Sequence, residues 1–424
     1  MTQVGGPAAG VTGRRLRVLL ISPVRGVDPL SGDVTYTEQL LSSPPPGVTY
    51  TTYVDAIEAG TLVECGTRRA VRTAPLRDKP RQYAIAAWRK VEALVRRTGA
   101  VYREPLRHFE VPTDAFDLVH VHVFHHRFLG AHPPVLMSAA GPLEWVYADA
   151  WGWSAGRVAV AEQFDRLAGL LWDATMCGVR PGLATRFVVF SRDFKAWLTD
   201  RGWPAEAIDV VPNYLDFTPE GRASTSAPSR LGFVAKDFDA KGGAVLLEAF
   251  SMLRDRHPQL ELIIVGSPRR FPDDELSAKG ITWAPFVERQ ELLSRILPSI
   301  DILVYPSLFD GLPYGPMEAL ASGIPCVVSD YRALPELVGL DAGRVSRVGD
   351  ADSVVAAVEE LLDPVVWKCA SDSAVAYFQE HFSAESQAVK LGAVYRNTVA
   401  DVGRRPAASR SGHHGLRQQG RDVR

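Results

Sequence analysis

Two carboxylates, Asp310 and Glu318, stand in the segment from Tyr305 to Ser329. Its residues read as a strand, a Gly/Pro loop carrying Asp310, a short helix carrying Glu318, a stop at Gly323 and another strand. Acids that border a helix start lie beside backbone N–H groups able to hold an anion, while the acids themselves accept hydrogen bonds from neutral hydroxyls. A nucleotide sugar supplies both kinds of group. The competing reading is structural, with Asp310 as a turn residue and Glu318 complementing the helix dipole. A second stretch, Phe233 to Gly242, carries Lys236 and Lys241, the latter directly before Gly242-Gly243. There a loop turns into a helix, so a cation and a helix N-terminus could both point at phosphate; otherwise the lysines decorate a solvated face.

The cluster His120-Val-His122-Val-Phe-His125-His126 raises the question of zinc. Strand alternation puts His120 and His122 on one face, but a tetrahedral site needs third and fourth ligands in register. No convincing metal cluster is present, so no metal or other cofactor is expected. Satisfied core histidines, or a strand running into a substrate cleft, are the alternatives. From Arg68 to Arg107 the chain holds twelve Lys/Arg against three acids, with Ala84, Trp88, Val91 and Val95 at helical spacing. Such a helix either buries its stripe in a core or lies on an anionic membrane. The aromatic residues Trp145, Tyr147, Trp151 and Trp153 would stack on an acceptor ring or line a core.

The elements that must position these groups follow from length and pattern. At 424 residues the chain is long enough for about two domains. Lys plus Arg number 47 and Asp plus Glu 49, a net charge of −2 that gives no global attraction for nucleic acid. Four scattered cysteines, Cys65, Cys177, Cys326 and Cys369, make no disulfide framework, and no apolar run is long enough to span a bilayer. A cytoplasmic location is expected, with peripheral contact on the inner membrane face as an option. Apolar runs at 17–22, 117–123, 135–139, 186–191 and 208–212 alternate with helical stretches, and a second series begins after a polar stretch from Thr218 to Arg230. This is the pattern of βαβ units around parallel sheets. An α/β chain of two facing doubly wound domains is expected, with a ligand cleft between them. The expected divisions are 1–215, 216–380, a helix over 381–402 that crosses back to the first domain, and a disordered basic tail over 403–424.

The Asp310/Glu318 segment resembles the acid-x(7)-Glu motif of retaining family-4 glycosyltransferases, whose GT-B fold consists of two Rossmann-like domains. Other landmarks resemble that family in order: Ser31-Gly32-Asp33 its N-terminal Gly loop, Val211 to Asp216 its interdomain Pro-Asn segment, Phe233 to Gly242 its Lys-Gly stretch, Leu334-Pro-Glu336 its later Pro-Glu pair, and Phe382 onward, with Tyr395, its crossing helix. The resemblance covers about residues 17 to 400.

It implies transfer of a sugar from a nucleoside-diphosphate sugar to an acceptor hydroxyl with retention of configuration. Lys236 and Lys241 would stabilise charge on the departing diphosphate, a form of transition-state stabilisation that is often a large catalytic term. Glu318 would accept from ribose hydroxyls and Asp310 from the transferred sugar. Amides of Gly311, Leu312 and Tyr314 would contact sugar and phosphate, Gly32 would let the first loop approach the diphosphate, and His122 would lie on the acceptor side. The acceptor itself, whether lipid, polysaccharide or natural product, is open. Relatives often carry a His where this chain has Ala140, an Arg at 236 and a Glu at 310. These departures keep two further readings in play: a catalytically impaired nucleotide-sugar-binding partner protein, and a GT-B nucleotide-sugar epimerase or phosphorylase relative.

Overall fold

The structure, a computed structural model, describes residues 14–27, 32–97, 107–122, 126–142, 145, 148, 152–160, 186–219, 227–266, 272, 276, 278–284 and 287–404. It contains two six-stranded sheets. The first joins β1 (Leu16–Ile21), β2 (Val48–Thr52), β5 (Leu118–His122), β7 (Val135–Ala139), β8 (Arg186–Val189) and β9 (Ile208–Val210). The second joins β10 (Arg230–Val234), β11 (Glu261–Val265), β12 (Ile281–Ala284), β13 (Ile302–Tyr305), β14 (Cys326–Ser329) and β15 (Gly343–Ser346). Every pairing within both is parallel. A small third sheet, β3 (Val63–Glu64), β4 (Arg107–Glu110) and β6 (His126–Phe128), has no counterpart in the sequence reading.

The inner strands β5, β7, β13 and β14 are buried at every residue because helices cover both faces. Alternation then divides each strand between two cores. In the first sheet Leu19, Ile21, Val119, Val121, Phe187 and Val189 pack with Tyr53, Phe194 and Trp203. Val18, Leu20, Leu118, Leu136 and Val188 face the other way, into a cluster with Tyr36, Tyr214 and Tyr395 that runs on into Leu312, Met317 and Phe378 of the second domain. One apolar core is therefore shared by both domains. Trp145 is buried against Phe194 and Trp197, which makes it a core residue instead of a platform for an acceptor.

The strand orders locate the crevices. The first sheet runs β2-β1-β5-β7-β8-β9 and the second β12-β11-β10-β13-β14-β15. In each the chain builds outward from an early central strand and then reverses, between β1 and β5 in the first and between β10 and β13 in the second. Ligands of open α/β sheets bind at such reversals, beyond the carboxyl ends of the strands.

Polar joints complement the shared core. Glu336 accepts from the amides of Arg192 (3.1 Å) and Asp193 (3.0 Å) at the start of the Arg192–Thr199 helix, whose own cap Ser191 takes the Phe194 amide. An acid of the second domain thus completes a helix N-terminus of the first. The helix Ala384–Arg404 lies on the first domain, where Tyr395 bonds His120 and Asp401 pairs with Arg186 at 3.0 Å. The chain before it forms another helix, Pro364–His381, which the sequence reading did not separate.

The Lys79–Arg97 helix buries Gln82, while Tyr83 and Ala84 are exposed. This corrects the expected stripe at its first position: Gln82 accepts from the Gly66 amide at 2.7 Å, which turns that side inward. The side chains of Trp88, Val91 and Val95 lie outside the described residues, as do Ser31, His125, Tyr147, Trp151, Cys177 and the tail over 405–424.

Gly242 has φ +76°, and a Cβ there would lie 1.9 Å from the carbonyl oxygen of Pro306. Around Gly32 a Cβ would meet nothing within 4 Å. Gly242→Ala is therefore expected to cost about 2 kcal/mol or more, and Gly32→Ala to stay within about 0.5 kcal/mol of wild type, in urea denaturation. Equal stability of the two variants would contradict the close approach of these loops.

Candidate functional site

The loops after β10 and β13 bring the second domain's charged residues together. Between them the backbone is laced: the amides of Leu308 and Phe309 both reach the Ala240 carbonyl, at 3.0 and 3.3 Å. Lys241 Nζ lies 2.7 Å from Asp310 Oδ2 and donates to the Phe309 carbonyl at 2.7 Å. Tyr305 Oη donates to the same Asp310 oxygen at 2.6 Å, and the Gly311 amide to Oδ1 at 2.8 Å. A carboxylate has about four lone-pair sites. Two are taken by hydrogen bonds and Lys241 balances the charge, which leaves Asp310 able to accept a further hydroxyl. The Gly311 amide, expected to contact a ligand, is engaged by Asp310 in this state. Lys236 is exposed at the start of the same loop.

Glu318 sits one turn inside the helix Tyr314–Ala321, not in its first turn as expected, and is 4% exposed. The first turn itself begins after Pro313, which offers no side-chain cap, and since Pro316 has no N–H the first-turn amides free of a capping side chain are those of Tyr314 and Gly315. Arg289 Nη2 approaches Glu318 Oε1 to 2.6 Å, yet Oε1 has no well-aligned hydrogen bond. The charge is met while hydrogen-bonding capacity remains. Burial raises the Glu318 carboxyl above the usual carboxylate range, partly offset by Arg289. The same guanidinium also favours ionisation of Glu38 across the cleft, a residue held below its ordinary range chiefly by its hydrogen bond to Arg25. Leu312 is buried, and its carbonyl accepts from Asn213 Nδ2 of the interdomain segment at 2.9 Å. Tyr314 is half-buried, and burial pushes its hydroxyl well up.

On the first domain, Gly32 and Asp33 begin the helix Gly32–Ser42 after β1, and His122 ends β5. His122 Nε2 lies 3.3 Å from Asp33 Oδ1 and Nδ1 lies 2.8 Å from Ser138 Oγ, while the ring packs 4.3 Å from that of Tyr36. His120 contacts Tyr395 and Ser138. All four ring nitrogens of this pair have protein partners, which places them in a hydrogen-bonded core. Burial, and His122 beside it, keep His120 well below the ordinary imidazole range.

The two halves meet where Gly311 abuts Ala140: a Cβ at 311 would lie 2.9 Å from that of Ala140. The position where relatives often place His is therefore at the contact between the domains, and a larger side chain at either position would force it apart. Arg289, Tyr305, Asp33 and Ser138 were given no role from sequence. Tyr305 alone carried a signal, as a hydroxyl at the end of a buried strand that needs a partner. Among the described residues no group of three potential metal ligands occurs, and no helix is long and apolar enough to cross a membrane.

Residues 228–364 match the family described as glycosyl transferases group 1. The MMP alpha-(1->4)-mannosyltransferase of Mycolicibacterium hassiacum is 32% identical over 216 residues, covering 48% of this chain and 52% of that protein. The chain spans about half the length of the curated relatives it matches. A glycosyltransferase structure from Rickettsia africae superposes with a TM-score of 0.59 at 12% identity, covering 91% of this chain and 99% of that one. HepE of Anabaena, in a complex with UDP-glucose, gives 0.54 at 14% identity over 91% of this chain and 100% of its own. At such identities the likeness is one of fold, and the fold is GT-B, two facing α/β domains.

The raised Glu318 carboxyl carries a stability signature. A folded-state pKa above the unfolded one means that the native protein binds the proton more tightly, so stability falls as pH rises through the interval between them. Glu318→Gln is expected to raise the melting temperature of the ligand-free protein at pH 7, with the difference closing as pH falls into the carboxylate range. A lower melting temperature for the variant at pH 7 would contradict a strained, buried carboxylate.

Proposed function

We propose that the protein is a glycosyltransferase that moves a sugar from a nucleoside-diphosphate sugar to an acceptor hydroxyl with retention of anomeric configuration. The observation that carries this reading is the convergence, at the β10/β13 reversal, of Lys241 paired to Asp310, an uncapped helix start and a buried Glu318 with spare acceptor capacity. The family match over 228–364 supports it, as does the UDP-glucose held by the structurally similar HepE.

In this reading Glu318 accepts from the ribose hydroxyls and the diphosphate lies against Lys241, Lys236 and the first turn of the Tyr314–Ala321 helix. Charge building on the leaving phosphate is stabilised by these cations and amides. Asp310 uses its remaining acceptor capacity on a hydroxyl of the transferred sugar. Two hydrogen bonds and the Lys241 ammonium already draw on its oxygens, which makes it a poor nucleophile and favours front-face departure and attack over a covalent intermediate. The departing phosphate takes the acceptor proton. The lysines and helix terminus neutralise the diphosphate, so this reading calls on no divalent metal.

His122 and Asp33 face the acceptor side. The relatives' names point to mannosyl transfer and to lipid or polysaccharide acceptors, which are the first classes to try. For lipid acceptors, the basic Lys79–Arg97 helix offers contact with an anionic membrane surface.

Calorimetric titration with a panel of nucleotide sugars tests the reading. One donor is expected to bind saturably, and Lys241→Ala and Glu318→Ala to weaken it at least 10-fold, in line with the ~1.5 to 3 kcal/mol of a hydrogen bond to a charged group, with folding intact. Wild-type affinity in both variants would sink the site. Binding without transfer or hydrolysis would favour the impaired binding-protein reading, consistent with Ala140.

A further inference from the structure

Behind His122 the buried polar groups of the first domain form one unbroken chain. Tyr50 Oη lies 2.8 Å from Tyr395 Oη, which lies 2.7 Å from His120 Nδ1. His120 Nε2 and His122 Nδ1 each lie 2.8 Å from Ser138 Oγ, and His122 Nε2 lies 3.3 Å from Asp33 Oδ1. Both imidazoles are fully buried, whereas the Asp33 side chain is 42% exposed at the other end.

His122 faces two acceptor-only oxygens, Asp33 Oδ1 from Nε2 and the Ser138 carbonyl from Nδ1, and once the charged Asp33 takes the proton the direction of every other link follows. A carboxylate only accepts, so His122 carries its proton on Nε2 and gives it to Asp33. Nδ1 of a neutral His122 must then accept, and Ser138 supplies the proton. Having spent its single proton, the serine accepts from His120 Nε2–H. His120 Nδ1 is left to accept, and Tyr395 donates to it while accepting from Tyr50. One terminal charge thus orders five hydrogen bonds, each with a donor and an acceptor, and the low basicity of His120 fits its neutral role.

We propose that Tyr395, on the C-terminal helix, is a positioning residue that acts through His120 and Ser138 to hold the His122 proton on Nε2, directed at Asp33. The consequence for catalysis rests on the transfer reaction proposed above. An Nε2–H directed at Asp33 keeps that carboxylate charged and aimed, ready to take a hydrogen bond from an acceptor hydroxyl. The helix that crosses between the domains thereby sets a protonation state at the cleft, which packing alone would not do. Tyr36 and Phe190 flank the His122 ring and fix its plane, with ring centroids 4.3 and 5.6 Å away.

A second acceptor makes the assignment testable. The Ser138 carbonyl lies 3.1 Å from His122 Nδ1 and would hold a proton placed there. Without the Tyr395 hydroxyl, His120 gains the option of accepting from Ser138. The serine proton is then withdrawn from His122, and Nδ1 is drawn toward protonation against that carbonyl.

Long-range 1H–15N correlation spectra of the imidazoles at neutral pH, assigned with His120→Gln and His122→Gln, read this directly. In the wild type both histidines are expected to show an unprotonated Nδ1 and a protonated Nε2. In Tyr395→Phe the His122 Nδ1 resonance is expected to shift toward the protonated range, and further in Ser138→Ala, while Tyr50→Phe leaves it in place. In turnover assays Tyr395→Phe is expected to lower kcat and leave the donor KM unchanged. A wild-type His120 or His122 protonated on Nδ1 overturns the assignment without recourse to any variant. An unmoved His122 signal in folded Tyr395→Phe overturns the coupling. Neither spectrum depends on glycosyl transfer, so a failure of the transferase reading would leave these tautomers as measured and remove only their catalytic consequence.

Discussion

The ion pair between Lys241 and Asp310 fastens the two loops that leave the central strands of the second sheet, and the remaining geometry of the donor side is built around it. Both side chains are about four-fifths buried, so the pair is screened less than a surface salt bridge and the loss of either partner strands a charge. Tyr305, the Gly311 amide and the Phe309 carbonyl saturate its neighbours. Gly242 permits the approach, since no other residue tolerates both its φ and the Pro306 carbonyl against it. The uncapped helix start and Glu318 follow directly along the chain from this clasp.

Two parallel sheets with chain reversals confront each other, and each contributes a different kind of group. The second domain supplies Lys241, Lys236 and the buried Glu318. The first supplies a buried pair of hydrogen-bonded histidines that ends in the half-exposed carboxylate of Asp33. Between them the interface is apolar at its centre, through Tyr214, Leu312 and Phe378, and polar at its edges, where Glu336 caps a helix of the opposite domain. Asp193 beside that cap has its carboxyl raised by burial. The small residues Ala140 and Gly311 allow the closest contact.

Much of the fold could be read from the chain because parallel strands buried on both faces leave continuous apolar runs, and the alternation of those runs with helical periods marks βαβ units. Asp310, Lys241 and Glu318 came from local motifs, and the structure brings the first two into contact. Local pattern could not supply partners set by tertiary geometry. Arg289 meets Glu318 only because tertiary packing sets the short helix Arg289–Glu291 beside the Tyr314–Ala321 helix. Tyr395 meets His120 across 275 residues of sequence. Periodicity finds an apolar face on the Lys79–Arg97 helix, but not the hydrogen bond from Gly66 that turns Gln82 inward. The short strands of the third sheet are too brief for alternation to register.

The central claim is that a nucleoside-diphosphate sugar binds at the β10/β13 reversal with its sugar presented to Asp33. A crystal structure of the protein with its donor, or with a nucleoside diphosphate if the donor turns over, tests this most directly. The account predicts ribose hydroxyls on Glu318, diphosphate against Lys241 and the first turn of the Tyr314–Ala321 helix, and the sugar reaching toward the first domain. A nucleotide bound elsewhere, with Glu318 still paired only to Arg289 and the Lys241–Asp310 clasp untouched, would contradict it.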